Sequence, residues 1–486
     1  MADPIDLAKQ VADHTKAIGD LQTATNIVWT LLTGYLVMFM QLGFALLETG
    51  LTRAKNVTHT MGMNIFVYAI GIMAFWFCGF ALQMGGVGAL ATFGGDATLA
   101  NEFTVHIAGK DFGLFGTTGF MLSPATYTPA IAVLFLFQMV FMDTAATIPT
   151  GAMAERWKFL SFALFSIPVA AIIYPLYANW VWGGGWLSLL GKNFGLGHGH
   201  VDFAGSSVVH LTGGVMAFVG AKMLGPRIGK YGKDGKVNVI PAHNVPMVVT
   251  GTLILAFGWF GFNPGSTLAG TDTRTALIAT NTMIASAAGA ATACVYVWTR
   301  YGKPDVTLIC NGLLAGLVAI TGPCAFVTSG ASVVIGGVAG VLVVVAALFV
   351  ERKLKVDDPV GAVAVHGVCG AWGILGVGIF ANGTYGDGLN GVAGPVKGLL
   401  YGDAGQLVAS CIGIAVNCIW VGAAAALVLF VVGKLVGNRV TEQSEQDGLD
   451  TDEMGLPGYA AEPGHVLPPE LEVAMPRIAA ATSTAE

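Results

Sequence analysis

Two nine-residue stretches hold the residue types that could do chemistry in this chain. One reads Asp202-Phe-Ala-Gly-Ser-Ser-Val-Val-His210, the other Asp358-Pro-Val-Gly-Ala-Val-Ala-Val-His366. Each has a Gly three residues after the Asp and a Val-His pair seven and eight residues after it, and each opens a long apolar segment. An imidazole two turns inside a membrane-spanning helix sits where polar groups are expensive and usually functional. Two neutral imidazoles can share one N–H and turn their remaining nitrogens toward a passage, offering a small polar solute a donor, an acceptor and a place to hold a proton. One such histidine would pass as a satisfied core residue, but the duplication argues for a repeat with a site between its halves.

Other candidates lie around them. Trp182 closes Asn-Trp-Val-Trp before Gly183-Gly184-Gly185, and Phe137 and Phe141 are one helical turn apart. Trp259, Phe262 and Ser266 lie in Gly258-Trp-Phe-Gly-Phe-Asn-Pro-Gly-Ser266. Singly, each aromatic reads as core or interface. Together with paired histidines, the rings suggest cation–π capture of a small cation, with Ser266 adding a hydrogen bond. Asp202 and Asp358 stand at predicted helix starts, where a carboxylate caps free N–H groups and suits the positive end of the dipole. Asp202 would also shape an outer vestibule. Asp143 is an intramembrane carboxylate, either functional or answered by a neighbouring Thr or backbone group. Glu155 and Arg156 are expected to pair with each other. His198 and His200 (Gly-His-Gly-His) are weak metal candidates. No metal-ligand spacing, nucleophile with a neighbouring base or cofactor motif stands out, which argues against an intramembrane enzyme.

The elements that position these residues follow from composition. Of 486 residues, 54% are hydrophobic and only 11% charged, with a mean hydropathy of +0.70. A soluble protein carries roughly 25% charge, so this is a polytopic membrane protein in a lipid bilayer, and nothing points to nucleic acid. The 68 glycines suit close helix packing in lipid. The seven cysteines show no paired spacing, and the polar first 25 residues are not a signal peptide. Apolar runs that can cross the ~30 Å hydrocarbon core cover 27–47, 61–84, 128–153, 157–179, 204–224, 245–263, 275–299, 306–325, 330–350, 360–381 and 405–436. The fold class is therefore all-α with eleven transmembrane helices.

Sixteen Lys and Arg residues fall in one set of connections, against Lys9, Lys16, Lys110, Lys192, Arg274 and Lys397 in the other. The positive-inside rule then puts the N-terminus outside and the C-terminus in the cytoplasm. His210 lies in span 5 and His366 in span 10. Because five is odd, the second set of five is inverted, and the two histidine helices run antiparallel. The expected organisation is an extracytoplasmic segment 1–26, a membrane domain 27–436 with inverted repeats 27–224 and 245–381 plus an eleventh helix, and a cytoplasmic tail 437–486, acidic and then Pro-rich and partly disordered. The outer loop 85–127 is rich in Gly and Thr.

Seven motifs, in order over spans 3 to 10, resemble the ammonium transporter (Amt/Mep/Rh) family. They are Phe137-Gln-Met-Val-Phe141, Gly151-Ala-Met-Ala-Glu-Arg156, Trp182-Gly-Gly-Gly185, the Asp202 and Gly258 stretches above, Asp357-Asp-Pro and Val365-His-Gly-Val-Cys-Gly370. Trp182 and Ser266 point to the Amt branch, of bacterial or archaeal type. The resemblance implies a homotrimer in the cell membrane with one pore per subunit. It implies ammonium recruitment by Trp182, Phe137, Ser266 and the matching Asp202, a gate of Phe141 and Phe262, and a pore lined by His210, His366 and Trp259. It also implies a tail contacted by a cytoplasmic PII signalling protein. Gly448-Leu-Asp450 resembles the start of the tail's recognisable segment, while the residues after Asp450 depart from it. The expected function is selective ammonium uptake, without enzymatic activity or cofactor. The alternatives are an ammonium sensor signalling through the tail and a channel for neutral ammonia.

Overall fold

The computed structural model describes residues 4–459. Its frame is a bundle of helices: α1 (Pro4–Leu51), α2 (Ala54–Met84), α3 (Pro129–Met153), α4 (Phe159–Trp182), α5 (Ser206–Leu224), α6 (Val245–Thr267), α7 (Thr275–Tyr301), α8 (Val306–Thr321), α9 (Ser329–Arg352), α10 (Val363–Phe380) and α11 (Ala404–Val436). Among the described residues ten of these are long and apolar enough to cross a membrane. α8 is apolar but has 16 residues, about 24 Å at helical rise, because Gly322-Pro323 stops it before the predicted end. Large apolar side chains such as Ile65, Ile419 and Leu435 face outward, as lipid allows.

The expected boundary at 26/27 falls inside one 48-residue helix, so the described part of the N-terminal segment continues span 1. No proline interrupts it past Pro4, and a formed helix propagates cheaply. The loop 85–127 contains two short strands. β1 (Glu102–Ile107) and β2 (Lys110–Gly116) form an antiparallel hairpin, a departure from the all-α class. Its signal is alternation: Phe103, Val105 and Ile107 share one face, and Phe103 stacks on Phe115 across the strands at 4.9 Å.

Close backbone approach builds the bundle. A Cβ added at Gly251 of α6 would lie 2.5 Å from the Leu47 nitrogen of α1, so only Gly permits this contact. The same device sets the crossing of the histidine helices. A Cβ on Gly214 of α5 would lie 2.1 Å from the Gly367 nitrogen of α10, and one on Gly370 would lie 2.5 Å from the Ser206 oxygen. As α5 runs from 206 to 214, α10 runs from 370 to 367, so the two pass antiparallel. Both contain a π-helical turn, Ser206–Leu211 and Val363–Val368, and each turn carries its histidine.

The end bearing the basic loops is closed by a buried ionic cluster. Arg227 donates to Glu155 Oε1 at 2.6 Å and to both Asp357 oxygens at 2.8 and 2.9 Å, and Arg53 adds a contact to Glu155. Arg156 does not pair with Glu155 but donates to the carbonyls of Ala152, Ala154, Gly225 and Asp357. Glu155 has a left-handed φ of 72°, which sends the adjacent side chains to different partners. The first part of the tail docks here through α12 (Glu442–Asp447) and α13 (Leu449–Met454). Asp450 accepts from the His59 N–H at 2.9 Å, and Glu445 accepts from Arg439 at 2.7 Å. The expected disorder of the later tail falls partly on residues 460–486, outside the described residues.

Burial alone would raise the Asp357 carboxyl, but hydrogen bonds and charge from Arg227, with Arg156 beside it, hold it well below the ordinary carboxylate range. A depressed folded-state pKa stabilises the fold above the unfolded value, ~4, and that contribution fades as pH falls below it. Asp357→Asn should lower the melting temperature in detergent at neutral pH, by the equivalent of about 3–5 kcal/mol for a broken buried pair, and flatten the acid limb of the melting profile. Gly214→Val should lower the melting temperature independently of pH, because the added carbons meet the α10 backbone; overpacking of this kind costs about 1–3 kcal/mol or more.

Candidate pore and outer vestibule

The Asp at each helix start is consumed in capping. Asp202 accepts backbone N–H groups from Gly205, Ser206, Ser207 and Val208, and the Ser207 hydroxyl, at 2.7–2.9 Å. It lines the vestibule, but with both oxygens committed to α5. Asp358 does the same for α10 through Val360, Gly361 and Val363 at 2.8–3.3 Å. These caps fix where each π-turn begins and so where each imidazole projects.

The crossing brings the two histidines together. His210 Nδ1 lies 3.1 Å from His366 Nδ1, and the rings are 5.2 Å apart and inclined by 23°. Both side chains are buried, His210 at 0% and His366 at 6% exposure. An Nδ1–Nδ1 contact leaves both Nε2 atoms outward, and His210 Nε2 has no hydrogen-bond partner. Trp259 lies parallel to His210 at 5.2 Å, its Nε1 anchored to Thr321 Oγ1 at 2.8 Å. Phe262 packs on His210 at 5.4 Å.

Above the pair, Phe141 and Phe262 stack at 4.1 Å and 25°, closing the way to the vestibule. Phe137 packs on Phe141 at 4.6 Å, and the Trp182 edge meets Phe141 at 6.1 Å. Trp182, Phe137, Phe141, Ser266 and Phe203 line one cavity of about 200 Å³. It opens into a vestibule of about 1080 Å³ that shares Trp182, Phe203 and Ser266 and adds His200, Asp202 and Tyr385. Trp182 Nε1 donates to the Asp202 carbonyl at 2.7 Å, which fixes the indole plane. The Ser266 hydroxyl donates to the Phe262 carbonyl at 2.7 Å and keeps its own lone pairs for a donor in the cavity.

The nine residues that the family resemblance assigned to recruitment, gate and pore thus lie along one line, from Trp182, Phe137 and Ser266 through Phe141 and Phe262 to Trp259, His210 and His366, with Asp202 beside its vestibule end. Asp143 is not on it. It shares the helix face of Thr147 and Thr150, is buried, and its Oδ1 has no partner. His198 and His200 bond to the Gly394 carbonyl and the Ser207 hydroxyl, and no cluster fit for a metal exists among the described residues. Sequence reasoning missed Glu48. The apolar run stops at 47, although α1 continues to Leu51 and buries this carboxylate beside His366. It also missed Phe44, 6.1 Å from His366, and Thr321, which carries no motif of its own.

The family model described as Ammonium Transporter Family matches residues 28–459. The chain is 45% identical over 438 residues to the ammonium transporter Amt2 of Archaeoglobus fulgidus, covering 89% of this chain and 88% of that protein. Among solved structures it is similar to one titled Sensor Amt Protein, with a TM-score of 0.78, 35% identity and coverage of 89% of this chain and 99% of that one. It is also similar to Candida albicans Mep2, with a TM-score of 0.72, 26% identity and 87% coverage of each chain. The chain belongs to the ammonium transporter family, in its Amt branch.

Proposed function

We propose that this protein takes up ammonium selectively, and that it does so by passing ammonia, not a bare cation, between His210 and His366. The observation that carries the reading is the 3.1 Å contact of two buried imidazoles directly beneath a stacked pair of phenyl rings. Ammonium and K⁺ are similar in size, and an apolar passage cannot replace the water of either. Ammonium alone can leave its proton behind. In this account Trp182 and Phe137 hold ammonium by their ring faces, Ser266 accepts one of its N–H groups, and Asp202 keeps the vestibule wall in place through its cap. Phe141 and Phe262 exclude water from the lumen. Trp259 holds the His210 ring flat, and the histidines hydrogen-bond ammonia as it passes.

The organisation proposed with it is eleven crossings, the short α8 included, with two inverted sets of five and α11 added. The antiparallel contact of α5 and α10 supports the inversion. The N-terminus is outside, and the ionic cluster with the docked tail lies at the cytoplasmic face of the cell membrane, as the distribution of basic residues supports. The assembly is a homotrimer, and the outward apolar faces give it both lipid and subunit contacts. The tail is a surface for a PII signalling protein. A second reading, an ammonium sensor acting through the tail, is favoured by the likeness to Sensor Amt Protein and by the docking of Asp450 on α2.

The two readings part on turnover. Reconstituted wild-type protein should sustain ammonium flux, and truncation after Arg439 should leave flux in place. A sensor binds ammonium without sustained flux. His210→Ala combined with His366→Ala should abolish selective ammonium flux or admit K⁺. Unchanged flux and selectivity in proteoliposomes, with the variant folded, would reject the twin-histidine mechanism.

A further inference from the structure

We infer that Glu48 is the acid–base group at the basic-loop mouth of the pore, where it exchanges a proton with ammonia passing His366. The inference rests on the transport reading above.

Three observations carry it. Glu48 and His366 line the same narrow cavity, with Phe44, Ile148, Asn311 and Val360. Asn311 and Val360 also line a second cavity of about 190 Å³, which continues past Asp358 toward Thr307 and Glu351, so Glu48 stands on a path out of the lumen. The carboxyl is held in one orientation: Asn64 Nδ2 and Thr150 Oγ1 both donate to Oε2, at 2.9 and 2.7 Å, leaving Oε1 without a side-chain donor. Gly151 lets the carboxyl approach the α3 backbone closely, since a Cβ there would lie 3.0 Å from Oε1, and the Gly151 backbone adds a weak contact to the carboxyl. Finally, Glu48 is 2% exposed and joins no ion pair among the described residues, whereas the other buried glutamates, Glu155 and Glu445, are each met by an arginine. An intramembrane carboxylate with no cation is costly and is kept where it does something.

The step balances simply. Ammonia leaving the His366 side presents its lone pair to the carboxyl. The O–H bond breaks as the N–H bond forms, and ammonium leaves into the aqueous mouth. The carboxylate regains its proton from hydronium there. In the other direction the carboxylate strips ammonium arriving from this face, and ammonia enters the lumen. The purely structural alternative is a hydrogen-bond hub joining α1, α2 and α3 through Asn64 and Thr150.

Full-length wild type, Glu48→Gln and Glu48→Asp reconstituted in vesicles separate the two. Gln still accepts from Asn64 and Thr150, so Glu48→Gln should keep its melting temperature while ammonium flux falls at least about tenfold. Glu48→Asp, an acid with a shorter reach, should retain more flux than Glu48→Gln. A hub reverses that order, and Glu48→Gln flux within about twofold of wild type overturns the inference. Should Glu48→Gln fail to fold, wild type labelled with carbon-13 glutamate gives a second test. Ammonium should change a protonated-carboxyl band in the infrared difference spectrum against K⁺, and no change overturns the inference. Wild-type vesicles without ammonium flux would instead reject the transport reading itself.

Discussion

The structure depends on one constraint: two polar rings must meet inside a bundle whose surroundings offer them no water. An unpaired polar group in such a place costs several kcal/mol, on the order of 2–7. His210 and His366 meet part of that cost by bonding to each other through Nδ1, while His210 Nε2 stays without a partner, turned toward the passage. The bond exists only because α5 and α10 cross with Gly214 against Gly367, and because the Asp202 and Asp358 caps start each helix at the right residue. Lengthening either helix start by one residue would swing its imidazole by about 100° around the helix axis.

The same constraint explains the distribution of strong charge. Arg227, Asp357, Glu155 and Arg53 are gathered at one end, with the docked tail beside them, where several donors and acceptors satisfy one another. Along the path itself the groups are aromatic or singly polar. The vestibule is broad and carries a hydroxyl and an indole, while the segment below it is closed by phenyl rings at van der Waals contact. Polar capture outside and apolar exclusion inside are what a device needs if it is to take a cation from water and pass on only its neutral form. Glu48, on the far side of the histidines, brings a carboxyl to this lining, with the Asn311 amide near it.

How much is legible in the sequence depends on whether the signal is local. The Asp–Gly–Val-His spacing is enough to find both histidines and their caps. The motif order is enough to place Trp182, Phe137, Ser266, Phe141, Phe262 and Trp259. The antiparallel relation comes from counting spans, although α8 is short. Partner choice and element ends are not legible in the same way. Glu155 and Arg156 are adjacent in sequence yet bond elsewhere, because a left-handed residue separates their directions. Thr321 anchors Trp259 from 62 residues away. The hairpin at 102–116 has a period-2 signal obscured by the Gly and Thr around it, and Glu48 lies just past the last apolar residue of the first run.

The most direct measurement is a solid-supported-membrane recording, with parallel vesicle flux, of wild-type protein given equal pulses of ammonium and K⁺. The account predicts ammonium-driven flux well above protein-free vesicles and no K⁺ response, whether or not the proton travels with the ammonia. A K⁺ current matching the ammonium response would mean that a hydrated or coordinated cation crosses between His210 and His366, and would contradict it.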